Sequence, residues 1–208
     1  MSESETTRVE AFSDGVFAIA ITLLVLEFRV PHPSEASDTG LLRGLLQLWP
    51  SLLAFVLSFG VILVMWMNHH GLFRLIRSVD SRFLFANGFL LLLITFVPFP
   101  TALLAQYLGR PGERVAAAVY CGTFLPINIA YNLLLHTAAD RRRLLRPNVP
   151  DALIAKIRRA YRWAFPIYLG ATLLALWNAG LGLALCSSLW ILWAVLDYRG
   201  DATGGATA

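Results

Sequence analysis

Six apolar segments, separated by polar or charged connectors, constrain this chain more than any other feature of its sequence. They span residues 9–28, 45–69, 83–108, 115–138, 163–177 and 181–196. A helix needs about 20 apolar residues to cross the hydrocarbon core of a bilayer, and the first four segments reach that length. The chain is therefore predicted to be an all-α integral membrane protein with six transmembrane helices, of which the last two are short.

The composition argues against a soluble enzyme or a nucleic-acid-binding protein. Of the 208 residues, 57% are hydrophobic and 14% are charged, whereas a soluble domain carries about 25% charged residues. The net charge of +4 arises in the connectors and not in a basic stripe. Cys121 and Cys186 both lie in apolar segments, and no constellation of nucleophile, acid and base is visible. We therefore expect no enzyme activity, no catalytic or metal-binding residues, no nucleic-acid partner and no cofactor.

The distribution of lysine and arginine predicts the orientation in the membrane. With six crossings, both ends of the chain lie on one side. That side carries thirteen of the 17 basic residues: Arg8, Arg74, Arg77, Arg82, Arg141, Arg142, Arg143, Arg146, Lys156, Arg158, Arg159, Arg162 and Arg199. The other side holds the remaining four, Arg29, Arg43, Arg110 and Arg114. Because cytoplasmic loops are enriched in basic residues, both termini are predicted to be cytoplasmic. Residues 1–200 are expected to form one six-helix domain, followed by a disordered tail at 201–208.

One carboxylate, Asp14, lies inside the first apolar segment, where an ionised group is costly unless it has a partner. Residues of the first two segments that can bond with it at similar depth are Arg8, Ser13, Asn68, His69 and His70. We expect them to form a buried polar cluster. Such a cluster can fix the first helix against the second, sense protons through a histidine or bind a cation. A metal site is disfavoured because adjacent histidines on a helix point about 100° apart.

An aliphatic stripe follows Asp14 along the first helix. Ile19, Leu23 and Leu26 have the i, i+4, i+7 spacing that places side chains on one helical face, and Thr22 lies beside them. On a lone helix the stripe is a packing face. In a symmetric pore it would form stacked rings of aliphatic side chains, which can gate by dewetting. The spacing alone leaves both alternatives open.

Three motifs carry a resemblance to a known family. Arg8-x-x-x-Phe12-Ser13-Asp14, followed by GVFAIAITLLVLE, resembles the first helix of the transmembrane protein 175 family. WMNHHGLFR at 66–74 and NGFLLLLITFVPFPTALLA at 87–105 are also similar to that family. Its members are potassium-permeable channels of endosomes, lysosomes and prokaryotes. The resemblance covers the first three helices, and the last three match in number and length.

The resemblance implies an architecture and a set of pore residues. Animal members carry two six-helix repeats and dimerise, so a single six-helix unit implies a homotetramer, in the plasma membrane of a prokaryote. The first helix would line a central pore for K⁺ and other monovalent cations. The constriction of the pore would lie at Ile19, Leu23 and Leu26, with a polar layer at Thr22. The Phe12-Ser13-Asp14 triplet would be structural, tying the first helix to its neighbours.

Two other functions remain as alternatives. A proton-coupled or small-ion transporter would use Asp14, His69 and His70 as a proton relay. A membrane redox protein would use His69, His70 and His136, although no opposing histidine lies at a depth suited to haem. The sequence also lacks a TVGYG-like loop, so any potassium preference would come from side-chain rings and is expected to be modest.

Overall fold

The computed structural model describes residues 3–30 and 38–194, and the predicted tail at 201–208 lies outside them. The described chain forms eight α-helices: α1 (Glu3–Leu23), α2 (Asp38–Leu46), α3 (Trp49–Phe73), α4 (Ser81–Phe96), α5 (Pro98–Tyr107), α6 (Glu113–Ala139), α7 (Asp151–Trp177) and α8 (Ala179–Ala194). Short 3-10 turns follow α1 at Leu24–Glu27 and α6 at Asp140–Arg142. No strand occurs within these ranges, which confirms the all-helical prediction for this part of the chain.

Four stretches are long and apolar enough to cross a membrane. They are Glu5–Glu27, Trp49–Phe73, Ser81–Tyr107 and Glu113–Ala139. These stretches coincide with the first four predicted segments, and the shorter apolar helix α8 coincides with the sixth. The prediction of a membrane protein built from apolar helices is therefore confirmed.

The third predicted segment is divided into two helices. α4 ends at Phe96, and Val97 leads directly into α5, which begins with Pro98. A proline is tolerated there because the first turn of a helix has no internal partner for its N–H groups. The Oγ atoms of Ser58 on α3 and Thr101 on α5 lie 2.7 Å apart in the interior. This hydrogen bond holds α5 against α3 just beyond the break.

The fifth helix begins earlier than predicted. Hydropathy indicated residues 163–177, but α7 starts at Asp151. Its first turns are amphipathic, because Leu153, Ile157 and Tyr161 form a buried stripe at four-residue spacing while basic residues between them are exposed. Part of the charged connector is therefore helical, which an average of hydropathy along the chain does not detect.

The second predicted segment is displaced in the opposite direction. Residues 45–69 were expected to be helical, whereas α3 begins at Trp49 and ends at Phe73. Pro50 lies in its first turn, where proline is favoured. Leu45 and Leu46 belong to α2, a helix with no buried residue.

Two sets of contacts organise the helices. α1 packs against α3 and α4 with Phe17 and Ala20 buried, and the 3-10 turn after it packs against α3 and α5 with Leu24 buried. α6 packs along α7, and α8 contacts α3, α6 and α7. The turn between α7 and α8 is tight: a Cβ atom at Gly182 would lie 2.5 Å from the Cα atom of Ala175. Only glycine permits this approach.

Several connections lie together at one end of the bundle. The N–H of Arg77 donates to the carbonyl of Leu144 at 2.9 Å, and the N–H of Arg146 donates to the carbonyl of Leu75 at 2.9 Å. These bonds flank an isolated β-bridge between Ile76 and Leu145. The α3–α4 connection is therefore fastened to the α6–α7 connection, and both carry arginines.

Candidate functional site

The side chains of α1 divide into a buried face and an exposed face. Phe17 is buried against the neighbouring helices. The opposite face carries the four residues predicted to line a pore, Ile19, Thr22, Leu23 and Leu26. Ile19 is 58% exposed and Leu26 is 71% exposed. At about 100° per residue, Ile19, Thr22 and Leu23 share a sector of about 100°. In the described part of the chain, this aliphatic face is left exposed.

Leu26 lies in the 3-10 turn that follows α1 and not in the α-helix itself. A 3-10 helix has three residues per turn, so side chains three positions apart eclipse. In ideal 3-10 geometry Leu26 would lie in line with Leu23 along the axis. An α-helix would stagger them by about 60°.

Thr22 is the polar member of this face. Its hydroxyl donates to the carbonyl of Ile19 at 2.9 Å, as threonine hydroxyls in helices commonly do. The O–H of Thr22 therefore donates within its own helix. Thr22 is exposed, and its hydroxyl oxygen keeps the capacity to accept a hydrogen bond or coordinate an ion.

A buried chain of hydrogen bonds joins α1 to α4 and α3. The Ser13 hydroxyl donates to the carbonyl of Val9 at 2.8 Å. The Asn87 amide Nδ2 donates to the Ser13 Oγ at 2.9 Å, and the Asn87 Oδ1 lies 2.9 Å from the His69 Nε2. Because the amide oxygen can only accept, His69 carries a proton on Nε2. Ser13, Asn87 and His69 are all buried, so every bond of the chain is protected from solvent.

Two aromatic side chains pack against the ring of His69. Its centroid lies 5.3 Å from that of Phe17 on α1 and 4.5 Å from that of Phe73 on α3. His69 Nδ1 is buried without a hydrogen-bond partner in the described part of the chain. His69 therefore packs as an apolar ring, and its one donor, the N–H at Nε2, is directed at Asn87.

Asp14 is bound by a residue that the sequence reasoning did not select. The indole Nε1 of Trp66 donates to the Asp14 Oδ1 at 2.8 Å. The Trp66 ring stacks on His70, with centroids 5.9 Å apart and an interplanar angle of 20°. The His70 Nδ1 lies 2.8 Å from the Glu10 Oε1. Two carboxylates one turn apart on α1 are thus each paired with a ring on α3.

The predicted cluster is therefore formed only in part. Arg8 is exposed and forms no hydrogen bond or ion pair with the described residues, because it lies about 140° around the helix from Ser13. Phe12 is also exposed, on the same side as Arg8. The Asn68 amide donates to the carbonyls of Val64 and Trp193, at 2.7 and 3.3 Å, which directs it toward α8. The expectation that Arg8 belongs to a buried cluster is wrong.

Three participants were missed: Glu10, Trp66 and Asn87. Asn87 is a lone amide in the apolar sequence of α4, and such a residue in a transmembrane segment usually finds a polar partner. Trp66 precedes His70 by four residues, so the two rings share a helical face. Glu10 precedes Asp14 by the same spacing. These features are visible in the sequence, but none of them indicates which residue on another helix is the hydrogen-bond partner.

Comparison with known proteins identifies the family. The family model described as "Endosomal/lysosomal potassium channel TMEM175" matches residues 8–98. A protein of Chamaesiphon minutus named as a potassium channel is 51% identical over 193 residues, which cover 93% of this chain and 95% of that protein. This chain belongs to the TMEM175 family. It is an ion-channel family and not a family of enzymes.

Two further matches extend the likeness to the TMEM175 family. A protein of Streptomyces collinus, also named as a potassium channel, is 43% identical over 76% of this chain and 77% of its own length. The crystal structure of a lysosomal potassium-selective channel TMEM175 homolog from Chamaesiphon minutus superposes with a TM-score of 0.82 at 50% identity. It covers 92% of this chain and 97% of that structure. The structural match therefore includes the later helices, beyond the part that the TMEM175 family model matches.

Proposed function

We propose that this chain is a potassium channel that conducts K⁺ passively through a central pore in a homotetramer. Each of four copies would contribute α1 to the pore. The TMEM175 family membership and the relatives named as potassium channels support the ion. The exposed aliphatic face of α1 supports the location of the pore.

That face is the observation on which the pore assignment rests. α1 is fixed on one side by the hydrogen bonds of Ser13 and Asp14, while its opposite side is exposed among residues 3–30 and 38–194. Four such faces around an axis would bring Ile19, Leu23 and Leu26 into successive aliphatic rings. Rings of this kind can exclude water when the pore is narrow, so they would form the constriction.

The selectivity of such a pore depends on few polar atoms. Aliphatic rings offer no oxygen ligands, so a dehydrated ion finds little there to replace its hydration shell. Thr22 would supply the one ring of oxygen atoms among the four pore residues. We therefore expect a modest preference for K⁺ over Na⁺.

The polar contacts of α1 would serve as a clasp. Polar groups that bond across membrane helices fix their relative positions. The chain from Ser13 through Asn87 to His69 and the bond from Trp66 to Asp14 hold the helix on the side away from the proposed pore. In this role Ser13 and Asp14 lie on the side of α1 that contacts its neighbours, and Phe12 lies on the exposed side.

We also propose that the chain crosses the membrane six times. Both termini would lie in the cytoplasm of a prokaryote. Residues 1–200 would form one domain in the plasma membrane. The arginines of the α3–α4 and α6–α7 connections lie together at one end of the bundle. Enrichment of arginine at one end is typical of the cytoplasmic side. The bond from Asn68 to the carbonyl of Trp193 brings the end of α8 to the same end of α3 that carries His70.

The test is potassium flux from proteoliposomes that contain the purified full chain. We expect passive flux from the wild type, altered flux in Leu23→Ala and altered flux in Ile19→Asn. Leu169→Ala is the matched control, since Leu169 on α7 is 41% exposed and Leu23 is 40% exposed. Flux equal to wild type in both α1 variants, with Leu169→Ala also unchanged, would refute the pore assignment.

The same assay separates a channel from a transporter. A channel passes K⁺ down its gradient without saturation at low millimolar concentrations and without a pH gradient. A proton-coupled transporter that uses Asp14, His69 or His70 would instead show saturable flux that requires protons. Native mass spectrometry of the same preparation tests the tetramer, and a monomer that conducts would overturn the proposed assembly.

A further inference from the structure

α7 carries a compact group of positive charges on its exposed side. This group, the α7 basic face, consists of Lys156, Arg158, Arg159 and Arg162. All four side chains are exposed. None of them forms a hydrogen bond or ion pair with any residue in the described ranges. Four unpaired cations thus occupy about two turns of one helix.

The α7 basic face continues along the same helix into an apolar exposed face. Leu169, Leu173 and Leu176 are 41%, 59% and 50% exposed, and they fall within the helical sector that also holds Arg158, Arg159 and Arg162. Trp163 and Trp177, at 65% and 69% exposed, lie at the two ends of this apolar stretch. They are separated by about 21 Å along the axis. Tryptophans are enriched where a helix passes from the bilayer core to the headgroups.

The charge of the α7 basic face is not compensated nearby. Residues 152–194 contain no aspartate or glutamate. Asp151, at the start of α7, is paired with Arg142. Asp80, at the same end of the bundle, is paired with Arg143. Both of these carboxylates are therefore already engaged by other arginines.

We propose that the α7 basic face binds the phosphate headgroups of anionic phospholipids. The Leu and Trp side chains below it would contact the acyl chains of the same lipid. The arginines would then lie where headgroups lie, directly above a surface that faces hydrocarbon. Guanidinium groups bind phosphate through paired N–H donors, and clusters of basic residues beside a membrane helix attract anionic lipids. This adds a lipid site to the channel and does not depend on which residues form the pore.

A general positive-inside effect does not account for this arrangement. That effect requires only that basic residues lie on the cytoplasmic side, in loops of any conformation. Here the charges are ordered on a helix, and Arg158, Arg159 and Arg162 share the helical face that carries exposed leucines. An anionic lipid can contact both parts at once, whereas a free anion or a soluble partner meets only the charged part.

The test compares two triple variants of the purified full chain by native mass spectrometry. Arg158→Gln/Arg159→Gln/Arg162→Gln removes three charges from the α7 basic face. The control, Arg43→Gln/Arg110→Gln/Arg114→Gln, removes three exposed charges from other parts of the surface. We expect the wild type and the control to retain phosphatidylglycerol, and retention in the α7 variant to fall by at least about tenfold. Retention of phosphatidylcholine should be unchanged. Equal loss of phosphatidylglycerol in both triple variants would overturn the proposal.

Two further measurements guard against misfolding and other anions. Arg158→Lys/Arg159→Lys/Arg162→Lys keeps the charges and should keep most of the bound phosphatidylglycerol. In vesicles, phosphatidylglycerol brominated on its acyl chains should quench Trp163 fluorescence more than brominated phosphatidylcholine does, with Trp163→Phe as the blank. Displacement of the lipid by millimolar inorganic phosphate, or equal quenching by both lipids, would refute a lipid site. If the α7 triple glutamine variant no longer retains phosphatidylglycerol but still conducts K⁺, the channel assignment remains intact.

Discussion

The indole nitrogen of Trp66 lies 2.8 Å from a carboxylate oxygen of Asp14, so a carboxylate inside an apolar helix is held by a donor on an aromatic ring. The N–H of the ring satisfies one oxygen of the carboxylate. This arrangement fixes the rotation of α1 about its own axis relative to α3. It thereby fixes which residues of α1 remain exposed.

Removing only the donor of this bond should destabilise the protein. Trp66→Phe keeps an aromatic ring beside His70 but takes away the N–H that reaches Asp14. A hydrogen bond to a charged group contributes about 2 kcal/mol, so we expect the free energy of unfolding to fall by about that amount. The measurement is detergent or denaturant unfolding followed by circular dichroism. Trp177→Phe is the control, because Trp177 is 69% exposed, and an equal loss in the two variants would contradict the role of the bond.

The Ser13–Asn87–His69 chain should behave as one unit. Asn87→Leu keeps the branched shape of the side chain but leaves the buried Ser13 Oγ and His69 Nε2 without this partner. Unsatisfied buried polar groups cost about 1–3 kcal/mol each, so we expect a loss of about 2–4 kcal/mol. Ser13→Ala in the same background tests the coupling. The double variant should lose less than the sum of the single variants, and strict additivity would show that the bonds are independent.

The Thr22 hydroxyl should influence ion preference without affecting stability. Thr22→Val removes the outward oxygen of the exposed α1 face, whose contribution to an ion is about 1 kcal/mol. We expect the K⁺ to Na⁺ permeability ratio to fall roughly fivefold in bilayer recordings. Thr95→Val is a close control, since Thr95 is also exposed and also donates to the carbonyl three residues earlier, that of Leu92. A ratio that falls equally in both variants would not support a ring of Thr22 oxygens.

The α7–α8 turn offers a matched pair of glycine substitutions. Gly182→Ala would place a methyl group 2.5 Å from the Ala175 Cα, so the helices must separate, at a cost of about 1–3 kcal/mol. Gly170→Ala, on α7, meets nothing within 4 Å. It should be neutral or slightly stabilising because alanine favours helix. Thermal unfolding of the two variants gives the comparison, and equal melting temperatures would be inconsistent with this packing.

The helical segments could be predicted from the sequence because each depends mainly on its own composition. Runs of apolar residues gave α3 and α6 to within a few residues, and the single run at 83–108 covers both α4 and α5. The start of α7 was missed because its charged first turns are stabilised by burial of one stripe, including Ile157, and hydropathy averages this stripe with its charged neighbours. The spacing of Ile19 and Leu23 placed them on one face, as they are in the structure.

The partners of the polar residues could not be predicted in the same way. Helical spacing gives the angle between Asn68 and His69, about 100°, but not which neighbouring helix each of them faces. That depends on the rotation of α3 against α1, α4 and α8 together. As a result, Asn68 turns to Trp193 and His69 turns to Asn87.

The β-bridge between Ile76 and Leu145 has a consequence for the order of folding. Its two residues are separated by 69 positions, and α4, α5 and α6 lie between them. The bridge can form only after all three of these helices have been synthesised and inserted. It is therefore a late event in biogenesis, in which a short stretch of sheet-like pairing closes a long loop. Until that closure, the N–H of Arg77 and the carbonyl of Leu75 in the α3–α4 connection lack these backbone partners and remain open to water.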